Sequence, residues 1–132
     1  MCLCTKYKGK KVSVQLLTNV RSGNCTQNCA YCAQSKDSQA EIEKYKRVSD
    51  EKLYGDNDLV DEKHLARHCI GLSGIGFSDE EIEDLADRIR EMKKKDTQIC
   101  CSIGFLTEKQ ARILKDAGLD RINHNLNSSR SF

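Results

Sequence analysis

Twice in this chain a short apolar run is followed by the same four-residue device for starting a helix. Ser78-Asp79-Glu80-Glu81 and Thr107-Glu108-Lys109-Gln110 each set a hydroxyl at the N-cap and a Glu or Gln three positions on, where each side chain can bond the other residue's backbone N–H. Behind the first, Ile82, Leu85, Ala86, Ile89 and Met92 recur on one helical face, which predicts a helix over about 78–95. Behind the second, Ala111, Leu114 and Ala117 form a shorter stripe, and Gly118 is placed to end it. The apolar runs 12–20, 68–73, 98–103 and 121–127 read as strands.

Strands separated by helices pair in parallel through crossovers, so an α/β architecture with four parallel strands and three crossover helices is expected. The first crossover falls in 49–67, where Gly55-Asp56-Asn57-Asp58 is turn chemistry and is read as a break. Four strands make a small open sheet; a closed barrel of this kind takes about eight, so a barrel would be present only as its first half. The expected organisation is an N-terminal tail over 1–11 and one partial core domain over 12–132, the chain stopping just after the fourth strand.

Composition narrows the function classes. Charged residues make up 32% with both signs interspersed and a net charge of +2, so there is no basic stripe for nucleic acid. Mean hydropathy is -0.64, and no apolar run approaches the roughly 18 residues of a membrane span. Residues 1–11 carry four lysines but no apolar segment resembling a secretory signal. The eight cysteines lie on a strand and helix pattern rather than in a short loop-rich scaffold, which points to thiol ligands in a reducing compartment, the cytoplasm.

Three of those cysteines fall in Cys25-Thr26-Gln27-Asn28-Cys29-Ala30-Tyr31-Cys32, spaced Cys-x3-Cys-x2-Cys with no fourth close by. Structural zinc prefers four closed ligands, whereas three thiolates on one loop suit an iron-sulfur cluster with one iron left open. A zinc knuckle is the competing reading. Strand alternation then sorts the remaining candidates. Cys69, Gly71 and Ser73 share one face, with His68, Ile70 and Leu72 on the other; Cys100 goes with Ser102, and Cys101 with Ile99 and Ile103. Cys69 and Cys100 thus fall on one side of adjacent strands, where they either hold a second cluster or are buried structural thiols. Asn123, Asn125 and Asn127 share a face opposite Ile122, His124 and Leu126, and three inward amides need partners. They are candidate ligand-binding groups, or else the polar outer face of an edge strand. His64 and His68, four apart, are read as a solvated helix face rather than a metal pair, and Cys2 and Cys4 are assigned nothing.

The cysteine loop after a first strand, with an aromatic residue (Tyr31) just before its last cysteine, resembles the radical S-adenosylmethionine (SAM) enzymes. Val20-Arg21-Ser22-Gly23-Asn24-Cys25 through Cys32-Ala33-Gln34-Ser35, the strands of Cys69 and Cys100, and Ala117-Gly118-Leu119-Asp120 followed by Asn123-His124-Asn125-Leu126-Asn127 narrow the resemblance to the biotin synthases. The resemblance implies the N-terminal half of a radical SAM (βα) TIM-type barrel. It implies that Cys25, Cys29 and Cys32 hold a catalytic [4Fe-4S] cluster whose open iron chelates SAM, and that electron transfer releases a 5′-deoxyadenosyl radical. Tyr31, Gly71, Ser73, Asn125 and Asn127 would contact SAM, and Asn123 and Asn125 the ureido ring of dethiobiotin. Cys69 and Cys100 match two ligands of an auxiliary cluster, of [2Fe-2S] type in this family, that donates sulfur to make biotin.

A low-potential donor of flavodoxin or ferredoxin type and a homodimer are the partners implied, with no nucleic acid and no membrane. Asn127 stands where the family usually has aspartate, and the remaining auxiliary ligands are expected beyond Phe132. The competing functions are a radical SAM enzyme of another substrate class, such as a maturase or mutase, and a zinc or iron-sulfur module without catalysis.

Overall fold

Both helix-starting devices form as the sequence predicts. In a computed structural model describing Tyr7, Gly9 and residues 12–125, the Ser78 hydroxyl accepts from the Glu81 N–H and Glu81 accepts from the Ser78 N–H; Thr107 and Gln110 repeat the exchange. The elements run β1 (Gln15–Arg21), α1 (Asp50–Glu62), β2 (Arg67–Leu72), α2 (Asp79–Met92), β3 (Ile99–Ser102), α3 (Glu108–Asp116) and β4 (Arg121–Asn123). Helix α3 stops on Gly118, whose φ of +99° suits glycine, with the Gly118 and Leu119 N–H groups closing on the carbonyls of Lys115 and Leu114.

The four strands are all parallel and lie in sequence order, β1-β2-β3-β4, each crossover carrying one helix. That is the architecture of the first half of a (βα) barrel. Strand pairing sets Leu17 beside Cys69 and Cys69 beside Cys100, so residues in register share a face across the sheet. Val20, Ile70, Ile99, Cys101 and Ile103 face the helices and join Leu53, Ile82, Leu85, Ile89 and Leu114 in one core. The division of β2 and β3 into a core face and a free face is thus the one alternation predicts. On the opposite face Leu17 remains 64% exposed, and no described helix packs there. None of the described helices is long and apolar enough to cross a membrane.

Three expectations are corrected. Gly55-Asp56-Asn57-Asp58 does not break the first crossover; α1 runs through it unbroken from its Ser49 cap. Asp and Asn favour turns when their side chains bond nearby backbone, and here both bond across the fold instead. The Thr18 hydroxyl donates to Asp56 (2.6 Å), and Asn57, 2% exposed, donates its Nδ2 to the Met92 carbonyl (3.2 Å) while its Oδ1 meets His68 Nδ1 (3.2 Å). Second, His64 and His68 do not share a helix face. His68 is fully buried within β2, where burial pushes its imidazole down to about 4 against the pull of the Asp56 carboxylate, and His64 sits in a left-handed turn past α1. Third, β4 is three residues long rather than seven: His124 and Asn125 leave the strand, while Leu126 and Asn127 lie outside the described residues, as do Cys2, Cys4 and most of the tail.

Replacing Asn57 with leucine, of similar volume, strands His68 Nδ1 and the Met92 carbonyl in a buried interface. A loss of about 2 to 3 kcal/mol is expected, read as a lower urea midpoint with unchanged slope.

Candidate functional site

Past the end of β1 the chain must leave the sheet, turn, and return, and its hydrogen bonds show how. Ser22 exchanges backbone bonds with Tyr45 (2.9 and 3.1 Å), and Gly23 and Asn24 then take left-handed φ values of 75° and 54° to swing the chain outward. Cys25 is caught by the returning strand, donating its N–H to the Gln34 carbonyl and accepting from the Lys36 N–H, both at 2.9 Å. Between these ties run the three cysteines. The Cys32 N–H bonds the Cys29 carbonyl at 2.9 Å, making the Cys-x2-Cys end a tight turn. Ser73 donates its buried hydroxyl to the Gly23 carbonyl (2.7 Å), pinning the loop entrance to the end of β2.

The ends of all four strands and the loops after them line an open cavity of about 570 Å³. Cys25, Cys29, Cys32 and Tyr31 line it from the first loop, Gly71 and Ser73 from β2 and its exit, and Asn123 and Asn125 from β4 and the residues beyond. Eight of the candidates thus meet at the carboxyl ends of parallel strands, where this kind of sheet places ligand sites. None of the three loop cysteines is in a disulfide, and all three are partly exposed. Among the described residues no three His, Cys, Asp or Glu side chains converge on a single-ion site. A four-iron cluster asks for something else, since its thiolates sit on separate irons, and three thiols spread along one cavity wall fit that demand.

Cys69 and Cys100 are side by side on the free face of β2 and β3, but outside the cavity lining. They lie one alternation step, about 7 Å, before Gly71 and Ser102, which do line it. The Asn123 Nδ2 donates to Cys100 Sγ and Cys69 Sγ meets the Gln15 Oε1, both at 3.0 Å. Burial, followed by the hydrogen bond and charge of Cys100, pushes the Cys69 thiol up to about 11, with Arg67 opposing. Without a metal Cys69 therefore rests as a neutral thiol. Cys101 is fully buried on the other face, in the core.

Several cavity residues escape the sequence reading. His124 was assigned to the face opposite the asparagines, yet it lines the cavity, because alternation ends where β4 ends. Its Nδ1 meets the Ile103 carbonyl at 3.3 Å, and its ring lies 5.2 Å from that of Phe105. Phe105 itself follows Gly104 at the exit of β3, and its N–H bonds the Ile75 carbonyl (2.8 Å), so two exit loops are laced together. Gln34 also lines the cavity. The usable signal was position, just past a parallel strand's carboxyl end.

Sequence comparison agrees with this geometry. The profile of the Radical SAM superfamily matches residues 19–132. "Biotin synthase" of Bacillus subtilis (strain 168) is 41% identical over 125 residues, covering 94% of this chain and 37% of that protein. "Biotin synthase" of Staphylococcus aureus (strain JH9) is 36% identical over 128 residues, covering 96% of this chain and 38% of the relative. The chain therefore spans rather more than a third of the length of these curated relatives. With the cysteine loop, the parallel half-sheet and the profile in agreement, the chain belongs to the radical SAM superfamily.

Proposed function

We propose that this chain supplies the cluster and nucleotide wall of a biotin synthase, which inserts sulfur into dethiobiotin by a radical route. The observation that carries the reading is the vertical order on one sheet face: three loop thiols at the rim, Asn123 at mid-height, and the Cys69–Cys100 pair beneath. Cys25, Cys29 and Cys32 would hold the [4Fe-4S] cluster, and Cys69 and Cys100 two corners of a [2Fe-2S] sulfur donor. Held by these thiolates, the first cluster would supply the electron needed for reductive cleavage of SAM.

The chain's own residues would position and shield the reactants. Tyr31, Phe105 and Ile75 offer apolar surface around the rim against water, while Asn125 and Gly71 stand where a nucleoside would lie. Asn123 would orient the substrate: with one N–H committed to Cys100, its Oδ1 is left to accept from a ureido N–H. A substrate between nucleoside and sulfur donor gains proximity along the strand direction. A flavodoxin- or ferredoxin-type reductant, a cytoplasmic setting and a homodimer belong to the same proposal.

The full-length protein, reconstituted anaerobically with iron and sulfide, should cleave SAM only when dethiobiotin is added and should form biotin, whereas this chain alone should not. Cleavage indifferent to dethiobiotin would instead assign another radical substrate. Tightly bound zinc without an iron chromophore would remove the reaction altogether.

A further inference from the structure

Gln34 stands between the two ends of the cysteine loop, and its side-chain amide is oriented by chemistry alone. Its Oε1 accepts from the Gly23 N–H and from the Ser22 hydroxyl (3.2 Å). Since a backbone N–H can only donate, the atom facing Gly23 must be the oxygen, which turns the amide NH2 the other way. That NH2 has no hydrogen-bond partner among the described residues, although Gln34 lines the cavity beside Cys25, Cys29 and Cys32. Gly23 is not readily replaced, because its φ is +75° and a Cβ there would stand 2.6 Å from Lys44 Cγ. One side chain of the cavity wall therefore braces the loop entrance with its acceptor and keeps its donor uncommitted.

We propose that Gln34 is a recognition and positioning residue whose amide N–H donates to an anionic acceptor held at the three-cysteine centre. The proposal rests on the cluster reading above but not on dethiobiotin. Two acceptors share the required chemistry: a sulfur of the cluster, and the amino-acid carboxylate of the sulfonium cosubstrate. A donor on cluster sulfur stabilises the more negative, reduced state and raises the midpoint potential. A donor on the carboxylate leaves the potential alone and strengthens cosubstrate binding.

Gln34→Glu separates the two jobs, because glutamate keeps the acceptor that Gly23 and Ser22 need and replaces the donor with a negative charge. Gln27→Glu is the control, adding the same charge to the same cavity without touching Gln34. The reconstituted protein is compared for iron content, for the potential of the centre by electron paramagnetic resonance, and for cosubstrate affinity. Both variants should bind iron as the parent does. Gln34→Met, which loses the brace as well, should bind severalfold less.

For a sulfur acceptor, Gln34→Glu lowers the potential more than Gln27→Glu does, and an exchangeable proton coupling disappears from its pulsed spectrum before cosubstrate is added. For a carboxylate acceptor, the potential matches the control and affinity falls at least tenfold further. If Gln34→Glu equals Gln27→Glu in potential, proton coupling and affinity, the proposal is overturned. A parent protein that assembles no cluster overturns it together with the cluster reading, whereas absence of biotin formation leaves it standing.

Discussion

Alanine at Cys25, Cys29 or Cys32 is expected to abolish the iron-sulfur chromophore and to reduce SAM cleavage by more than about a hundredfold, beyond what loss of a supporting contact around a metal costs. The three thiols are not core groups. They are partly exposed, they sit on a loop whose ties are backbone bonds at Cys25 and side-chain bonds from Gln34 and Ser73, and none belongs to the core. The alanine variants should therefore melt near the parent apoprotein while binding little iron. Cys101→Ala should do the reverse: its side chain is fully buried among Ile99, Ile103 and Leu114, so it should keep its iron and lose about 1 kcal/mol of stability. On the proposed function, alanine at Cys69 or Cys100 in the full-length protein should spare the first centre and remove the auxiliary one. Iron and sulfide analysis beside thermal melts of the apoproteins distinguishes the three classes, and a Cys29→Ala protein with full iron and normal cleavage would disprove the assignment.

Gly104→Ala is the second large effect, and it comes from space rather than conformation. A Cβ at Gly104 would lie 2.5 Å from the Ile75 carbonyl oxygen and 2.6 Å from its carbonyl carbon and Cα. Those are backbone atoms, so no side-chain rotation relieves the overlap. One exit loop must retreat, breaking the Phe105–Ile75 hydrogen bond and moving Ile75 and Phe105, which both line the cavity. Overpacking together with the lost bond is expected to cost about 3 kcal/mol or more. Weakened cosubstrate binding should accompany it, since the wall itself shifts. Gly76→Ala, at the residue next to Ile75, meets nothing within 4 Å and should be nearly neutral. Equal melting temperatures for the two variants would refute the argument.

The parts of this fold that can be read from sequence are those decided locally. A capping box needs only residues three apart, so α2 and α3 start where the pattern says. Strand alternation needs only parity, so Cys100 and Cys101 could be sent to opposite faces before any contact was known. Failure came where a side chain's partner is distant. Asn57 and Asp56 look like turn formers until Met92, 35 residues away, and Thr18, 38 residues away, engage them. Ser73 lines the cavity, and its hydroxyl also ties to Gly23, 50 residues earlier, a bond that no local pattern signals. Gln34 passed unnoticed because its role depends on which way one amide faces.

The sheet also separates two kinds of selective pressure. Positions 18, 20, 68, 70, 99 and 101 meet the helices, whereas 17, 19, 69, 71, 100 and 102 look out over the other side, so stability and chemistry are written on alternate letters of the same strands. Directed evolution confined to Leu17, Asn19 and Ser102 could change which small molecule is accepted while the melting temperature barely moves, and that independence would let new specificities arise on an unaltered scaffold.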